Sequence, residues 1–319
     1  MVGISLFSAW PFRFKIRALD TVLFPVGKAG NVLRGAFGNI FRRLACIPGC
    51  SDAKSCEIAG QCAYALTFEP RQQWSEASGP SGLSDWPRPF VFRALHLDGT
   101  RIEPETEFHF DVVLFESPEK VLPYFVLAFR ALVEAGIGPA RGRAILSSVE
   151  ELPTGTPIYD GKRMQDLALP GLAFNFSESA SEPINTLRVT FLTPTELKAG
   201  GELINRPEFP VLLRRLRDRI SNLRLLYQGG PLEVDFAAIG IAAEEVRISR
   251  SSLRRVEVER FSARTGRSHP LGGFVGSVEY EGDLARFLPY LRAGEWSGVG
   301  RQTVWGKGLF RLEKKSFII

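Results

Sequence analysis

Five glycines fall within fifteen residues near the C-terminus, at Gly294, Gly298, Gly300, Gly306 and Gly308. No packed helix tolerates that density, because each glycine loses about 1 kcal/mol of helix propensity relative to alanine. The stretch therefore predicts a loop. Arg301, Gln302, Thr303, Trp305 and Lys307 are interleaved with the glycines and supply donors, positive charge and an aromatic face. Without side chains in the way, peptide N–H groups can point at phosphate oxygens while Trp305 stacks on a base. A plain hairpin between a helix and the last strand is the competing reading. A Walker loop is excluded because no Lys-Ser or Lys-Thr follows the glycines. The dinucleotide fingerprint fails as well, since a helical stretch (Asp283 to Arg292) precedes the loop and a strand (Leu309 to Glu313) follows it.

The loop has a counterpart in the first half of the chain. Pro11 to Ala18 alternates as a strand, and Leu33, Ala36, Phe37, Ile40, Phe41 and Leu44 recur at helical spacing. Strands follow at Phe90 to His96 and Glu107 to Glu116, then a helix from Ser117 to about Ala135, bent at Pro123, and the segment GIGPARGR before a strand at Ala144 to Glu150. The same order returns with a strand at Leu187 to Leu192, an arginine-rich helix at Phe209 to Tyr227, strands at Arg247 to Phe261 and Phe274 to Tyr280, and the helix before the glycine loop. The fold class is thus α+β, with two tandem ferredoxin-like (RRM-like, βαββαβ) domains. Domain 1–152 carries a cysteine-containing insertion at 46–87, 153–185 reads as a linker rich in Pro, Gly and Ser, and domain 186–319 ends in the glycine-rich loop.

At 319 residues and 45% apolar content, with 24 Phe, the chain is long and apolar enough for two packed cores, which excludes a disordered or fibrous protein. No apolar run is long enough to span a membrane, and charges come too early for a signal peptide, so the expectation is a soluble cytoplasmic protein without a membrane partner. The four cysteines, Cys46, Cys50, Cys56 and Cys62, follow a C-x3-C-x5-C-x5-C pattern. That pattern is compatible with a structural zinc site, disulfides or free thiols.

The formal net charge is +5. Arg214, Arg215, Arg217, Arg219 and Arg224 lie on one helix, and Arg247, Arg250, Arg254, Arg255, Arg260, Arg264 and Arg267 follow within about fifty residues of its start. A strand that alternates arginine with apolar residues exposes its cations in a row, as an RNA phosphate track requires. Solvated surface charge is the alternative for some of them. Only three histidines exist, His96, His109 and His269. The first two lie in predicted strands and read as sheet or core imidazoles. His269 sits between a run of arginines and Pro270-Leu271-Gly272-Gly273.

Three stretches resemble a known family: LRGAFGNIFRRLAC with the cysteines and Phe68-Glu69-Pro70 after it, RFSARTGRSHPLGGFVGSVEY at Arg260 to Tyr280, and GEWSGVGRQTVWGKG. Together they resemble the pre-crRNA-processing endoribonucleases of the RAMP superfamily of CRISPR systems. The resemblance implies binding of CRISPR repeat RNA and its cleavage without a catalytic metal or other cofactor. The ribose 2′-hydroxyl attacks the adjacent phosphate, leaving a 2′,3′-cyclic phosphate and mature crRNA. Such a reaction needs a proton acceptor, a proton donor and cations at the phosphorane. His269 is the candidate for proton transfer, and Lys28, Arg34 and Arg42 are the candidates for charge stabilisation. Gly298, Gly300, Arg301, Gln302, Thr303, Trp305, Gly306, Lys307, Gly308, Arg260, Arg264 and Arg267 are the candidate RNA contacts. Many family members place a histidine on or just after the first helix, whereas this chain has none before His96. A non-catalytic RAMP subunit that binds crRNA among other CRISPR effector subunits is therefore the alternative, and homodimerisation is left open.

Overall fold

A computed structural model describes residues 6–47, 49–50, 56–70, 86–177, 182–262 and 267–314. The chain divides into two compact units, one comprising Ala9–Leu172 with Leu225–Gly230 and the other most of the remainder.

In the first unit, β1 (Leu6–Ala18) is followed by α1 (Ala29–Ala45), a short α2 (Ala63–Phe68), β2 (Phe90–Arg93), β3 (Glu107–Leu114), α3 (Pro118–Ala135) and β4 (Ala144–Glu151). The strands lie in the order β2-β3-β1-β4, the ferredoxin-like arrangement, and all neighbours are antiparallel. Strand β1 shows why one face is covered and the other is not. Phe12, Phe14, Ile16 and Ala18 are fully buried, while Arg13, Lys15 and Arg17 alternate with them on the opposite face. Those cations are held by carboxylates: Arg13 pairs with Asp111 at 2.9 Å and Lys15 with Glu150 at 2.5 Å.

Residues 153–185 depart from the linker reading. Pro157–Tyr159 forms β5, which pairs with β4 and extends the sheet, and Leu172–Asn175 is also a strand. Runs this short contain too few residues for alternation to register in the sequence. Helix α3 runs through Pro123 to Ala135 as expected.

Phenylalanine fills the space between the helices and the sheet. Phe37, fully buried on α1, lies within ring-stacking range of Phe41, Phe68, Phe90, Phe92, Phe125 and Phe129, with the Phe125 centroid 4.4 Å away. Gly38 is the counterpart of this crowding, since a Cβ there would overlap the Phe68 ring. The F37A substitution should destabilise the protein by about 3–5 kcal/mol, read as a lower urea midpoint.

The second unit contains β6 (Thr186–Thr195), α4 (Phe209–Tyr227), α5 (Phe236–Ala243), β7 (Arg247–Val256), a separate hairpin of β8 (Glu259–Ser262) and β9 (Arg267–Pro270), then β10 (Gly273–Glu281), α6 (Leu288–Ser297) and β11 (Phe310–Lys314). Its sheet order, β7-β10-β6-β11, repeats that of the first unit position for position. Leu212, Leu216, Ile220 and Leu223 form the buried stripe of α4, and Tyr280, fully buried, donates its hydroxyl to the Pro207 carbonyl at 2.7 Å. The strand expected over Arg247 to Phe261 is in fact two, because the chain leaves the sheet after Val256 and turns into the hairpin. No helix among the described residues is long and apolar enough to cross a membrane.

On the open face of the first sheet the His96 and His109 rings stack with centroids 4.4 Å apart, and a His96 ring nitrogen lies 2.8 Å from the His109 carbonyl. Burial, followed by the nearby charges of Arg13 and His96, holds His109 below its ordinary pKa of 6.5. The folded chain then binds fewer protons than the unfolded one. This contribution is intact above about pH 6.5 and is lost as pH falls through that value toward the folded pKa. Thermal melts between pH 7.5 and 5 should show the loss, and H109Q should reduce it.

Candidate nucleic-acid interface

The glycine segment is a closed turn rather than a row of bare amides. Gly298 ends α6 and donates to the Gly294 carbonyl, and Val299 donates to Gly308 at 2.9 Å. Arg301 donates to the Glu196 carbonyl, Gly308 to that of Pro194, and Leu309 to the Thr193 hydroxyl. Two glycines are required here by sterics. A Cβ on Gly308 would overlap the Val299 carbonyl and one on Gly300 the Glu196 carbonyl, and both residues have positive φ, 69° and 83°. A turn that lies against its own sheet must satisfy its backbone there, so much of its donor capacity is spent internally.

Side chains divide accordingly. Gly298, Thr303, Gly306, Lys307 and Gly308 are buried, Gly300, Gln302 and Trp305 are half-buried, and Arg301 is exposed. Arg301 also forms a 2.6 Å ion pair with Glu196, whose side chain is 10% exposed. The outward surface is therefore Arg301, Gln302 and Trp305 around Gly300. Lys307, expected as a surface cation, lies 6% exposed within the domain.

The arginines of α4 serve chiefly to tie elements together. Arg215 donates twice to the Lys198 carbonyl, Arg219 to that of Ser297 at 2.9 Å, and Arg224 to that of Leu6 at 2.7 Å. Arg217 pairs with Asp218 and covers the Phe236 ring at 5.0 Å. Only Arg214 on this helix is exposed. Strand β7 behaves as the alternation implied: Arg247, Arg250, Arg254 and Arg255 are exposed. Arg250 lines a groove of about 520 Å³ with Arg188, Ser251, Ser252, Ser277 and Glu279. Within it Arg188 approaches Glu279 at 3.4 Å, and the Thr190 and Ser277 hydroxyls lie 2.8 Å apart. The serines were missed in the sequence, although Ser251 directly follows Arg250; Ser252 and Ser277 are partners in register across the two strands.

In the β8–β9 hairpin, Arg260 is the register partner of His269 and Ser262 that of Arg267. Arg264 lies outside the described residues.

The first-unit candidates lie along α1. Lys28 is its N-cap, and the first helical amide, Ala29, donates to the Asp98 carboxylate at 2.7 Å. The Arg34 guanidinium lies over the Phe68 ring, 4.2 Å from its centroid, which fixes its plane by cation–π attraction. Arg42 donates to the Cys50 carbonyl at 3.1 Å. Eight residues of helix put Arg34 and Arg42 about 12 Å apart along the axis, too far for both to brace one phosphate without extending toward each other. Between them in space lies Tyr64, which donates to Glu69 at 3.2 Å and whose hydroxyl is held well above its ordinary pKa by burial, with Glu69 adding to the effect. All four cysteines are free thiols. Burial, then the neighbouring Cys62 and Cys50, pushes the Cys46 thiol up to about 12.

Residues 7–170 match the AF_1859_N family model, described as an N-terminal domain, and residues 189–310 match that of the CRISPR-associated endoribonuclease Cas6. Residues 189–310 belong to the Cas6 family. The second ferredoxin-like unit thus carries the match to a CRISPR-associated endoribonuclease, while the first matches a model described only as an N-terminal domain. Among solved structures, a Cas6 product complex is 17% identical with a TM-score of 0.56, covering 96% of this chain and 99% of that one. Cas6 from Thermus thermophilus is 15% identical with a TM-score of 0.52 over the same shares. In a Cas6-RT-Cas1–Cas2 complex the match is 11% identical with a TM-score of 0.55 and spans 98% of this chain but 48% of that one. At these identities the structural matches show the fold. A search of curated proteins gives no match.

The groove and the ties make opposite predictions. R250A should weaken binding of repeat RNA and lower the slope of log K against log salt by about one phosphate contact. R219A should leave that slope unchanged and lower the melting temperature instead.

Proposed function

We propose that this chain cuts precursor CRISPR RNA within its repeats, in the cytoplasm, by metal-independent attack of a ribose 2′-hydroxyl on the adjacent phosphate. The match of residues 189–310 to the Cas6 endoribonuclease family carries the reading. The nucleophile belongs to the RNA, so the protein's work is alignment and stabilisation of developing charge. Arg34, held flat on Phe68, suits the phosphorane oxygens, with Lys28 as a second cation at the start of the same helix. His269 supplies proton transfer from the β8–β9 hairpin, where its register partner is Arg260. Arg301, Gln302 and Trp305 contact RNA from the closed glycine turn, and Arg250 and the groove serines follow its backbone. The product is mature crRNA, handed on to the effector complex.

A second reading, in which the chain binds crRNA without cutting it, is favoured by the lack of any histidine before His96. Purified protein incubated with repeat RNA in EDTA separates the two. The proposal expects a 2′,3′-cyclic phosphate end and no cleavage of a substrate with a 2′-deoxy group at the scissile position. Binding without cleavage, or equal cleavage of both substrates, would overturn it. R34A should slow single-turnover cleavage by about 10–100-fold, roughly 1.4–2.8 kcal/mol of barrier. If H269A cleaves at the wild-type rate, proton transfer belongs to another group.

A further inference from the structure

The second sheet carries a row of charge that the proposed reaction uses only in part. Arg250 on β7, Glu279 on β10, Arg188 on β6 and Glu313 on β11 are partners in register, so four strands place cation, anion, cation and anion side by side. Two positions along each strand, and therefore on the same face, lie Ser252, Ser277, Thr190 and Arg311. Leu187, Val189, Val278 and Tyr280 alternate with these residues and form the buried face.

A row of ion pairs is the ordinary finish of a solvated sheet, but exposure sets this one apart. Arg250 is exposed and the Arg188 side chain is 42% exposed, whereas that of Glu279 is 5% exposed. Among the residues that line the groove described above, Glu279 alone is buried. The groove thus has a cationic rim and a carboxylate floor, and its volume of about 520 Å³ is that of a ligand pocket. Arg250 and the serines at the rim suit a phosphate. The floor does not, because a carboxylate only accepts hydrogen bonds, so whatever reaches Glu279 must bring N–H or O–H donors.

A nucleotide meets both demands when its phosphate stays at the rim and its base points down. The RNA bases differ in the edge they would present there. Guanine has two adjacent donors, N1–H and N2–H, which match the two oxygens of one carboxylate, with the O6 acceptor beside them. Uracil has a single ring N–H between two carbonyls. Adenine and cytosine place an amino group beside a ring nitrogen whose lone pair would face the carboxylate. Arg188 is the donor for O6: its contact with Glu279, 3.4 Å, is longer than the ~2.7–2.9 Å of a tight charge-assisted bond, so it can turn to a second acceptor. We propose that this groove takes one unpaired guanosine of an RNA strand, with Glu279 on its N1–H and N2–H edge and Arg188 on O6. The inference rests on the RNA binding proposed above, but not on cleavage.

The test is a set of labelled RNA octamers, uridine throughout except for one central guanosine, inosine, adenosine or cytidine, titrated against the full chain. The guanosine octamer should bind about tenfold more tightly than the inosine octamer, which lacks only the N2 amino group, since a bidentate base contact discriminates by about that factor or more. E279Q turns one acceptor into a donor and should bring these two octamers to equal affinity. Its salt slope should stay at the wild-type value, because no phosphate contact is removed. Equal affinity of the wild-type protein for the guanosine and inosine octamers would overturn the proposal, as would a guanosine preference that survives in E279Q. If E279Q melts below the assay temperature, the wild-type comparison decides alone. Repeat RNA that is bound and cut by a protein with no preference among the octamers removes the guanosine pocket and leaves the proposed function standing. Loss of all RNA binding removes both.

Discussion

The ring of Phe37 is the contact on which the first unit depends. Six other phenylalanines from α1, α2, α3 and the sheet pack around it, and the helix can approach that closely only because Gly38 gives way to Phe68. Burying a phenylalanine contributes about 1.5–3 kcal/mol, but the larger effect here is positional. Helical geometry sets Arg34, one turn before Phe37, on the same side of α1, where it lies over the Phe68 ring that packs on Phe37, and turns Arg42 away from that contact. The position of Arg34 is thus set by the same aromatic cluster.

The second unit relies on a different constraint, the satisfaction of backbone carbonyls. Arg215, Arg219 and Arg224 each donate from α4 to a carbonyl on another segment, so their guanidinium groups replace water at positions where strands and turns end. The exposed arginines of β7 have a different setting. Arg250 lines a groove with the hydroxyls of Ser251, Ser252 and Ser277, whereas Arg255 is paired with Glu257 and donates to Asn205. One residue type thus builds the domain on one element and faces outward on the next.

This division explains which features could be read from the sequence. The repeated strand and helix order was legible because alternation and helical periodicity are local properties, and both sheets follow the expected ferredoxin-like order. Helix α5 escaped notice because its sequence, FAAIGIAA, is apolar on every side and has no period to detect. The extra strands at 157–159 and 172–175 are set by pairing partners rather than by their own pattern. At the candidate site, the glycines marked the correct place for a turn but not its state: the Arg301, Gly308 and Leu309 amides donate to Glu196, Pro194 and Thr193, on β6 or just after it and more than a hundred positions away in sequence. The carbonyl partners of Arg215, Arg219 and Arg224 lie 17, 78 and 218 positions away, so composition alone could not distinguish a structural guanidinium from a binding one. Burial of Lys307 follows from the same fold-back.

The closed turn after α6 bears on recognition. Because Val299, Arg301, Gly308 and Leu309 already donate to protein acceptors, the segment has its final shape before any ligand arrives. For the RNA contact proposed at this turn, an incoming strand would meet a finished template and lose little entropy in ordering it. Selection would then fall on the strand: a polynucleotide whose sugar–phosphate contour already matches the template would bind, and one that needs the protein to adapt would be rejected.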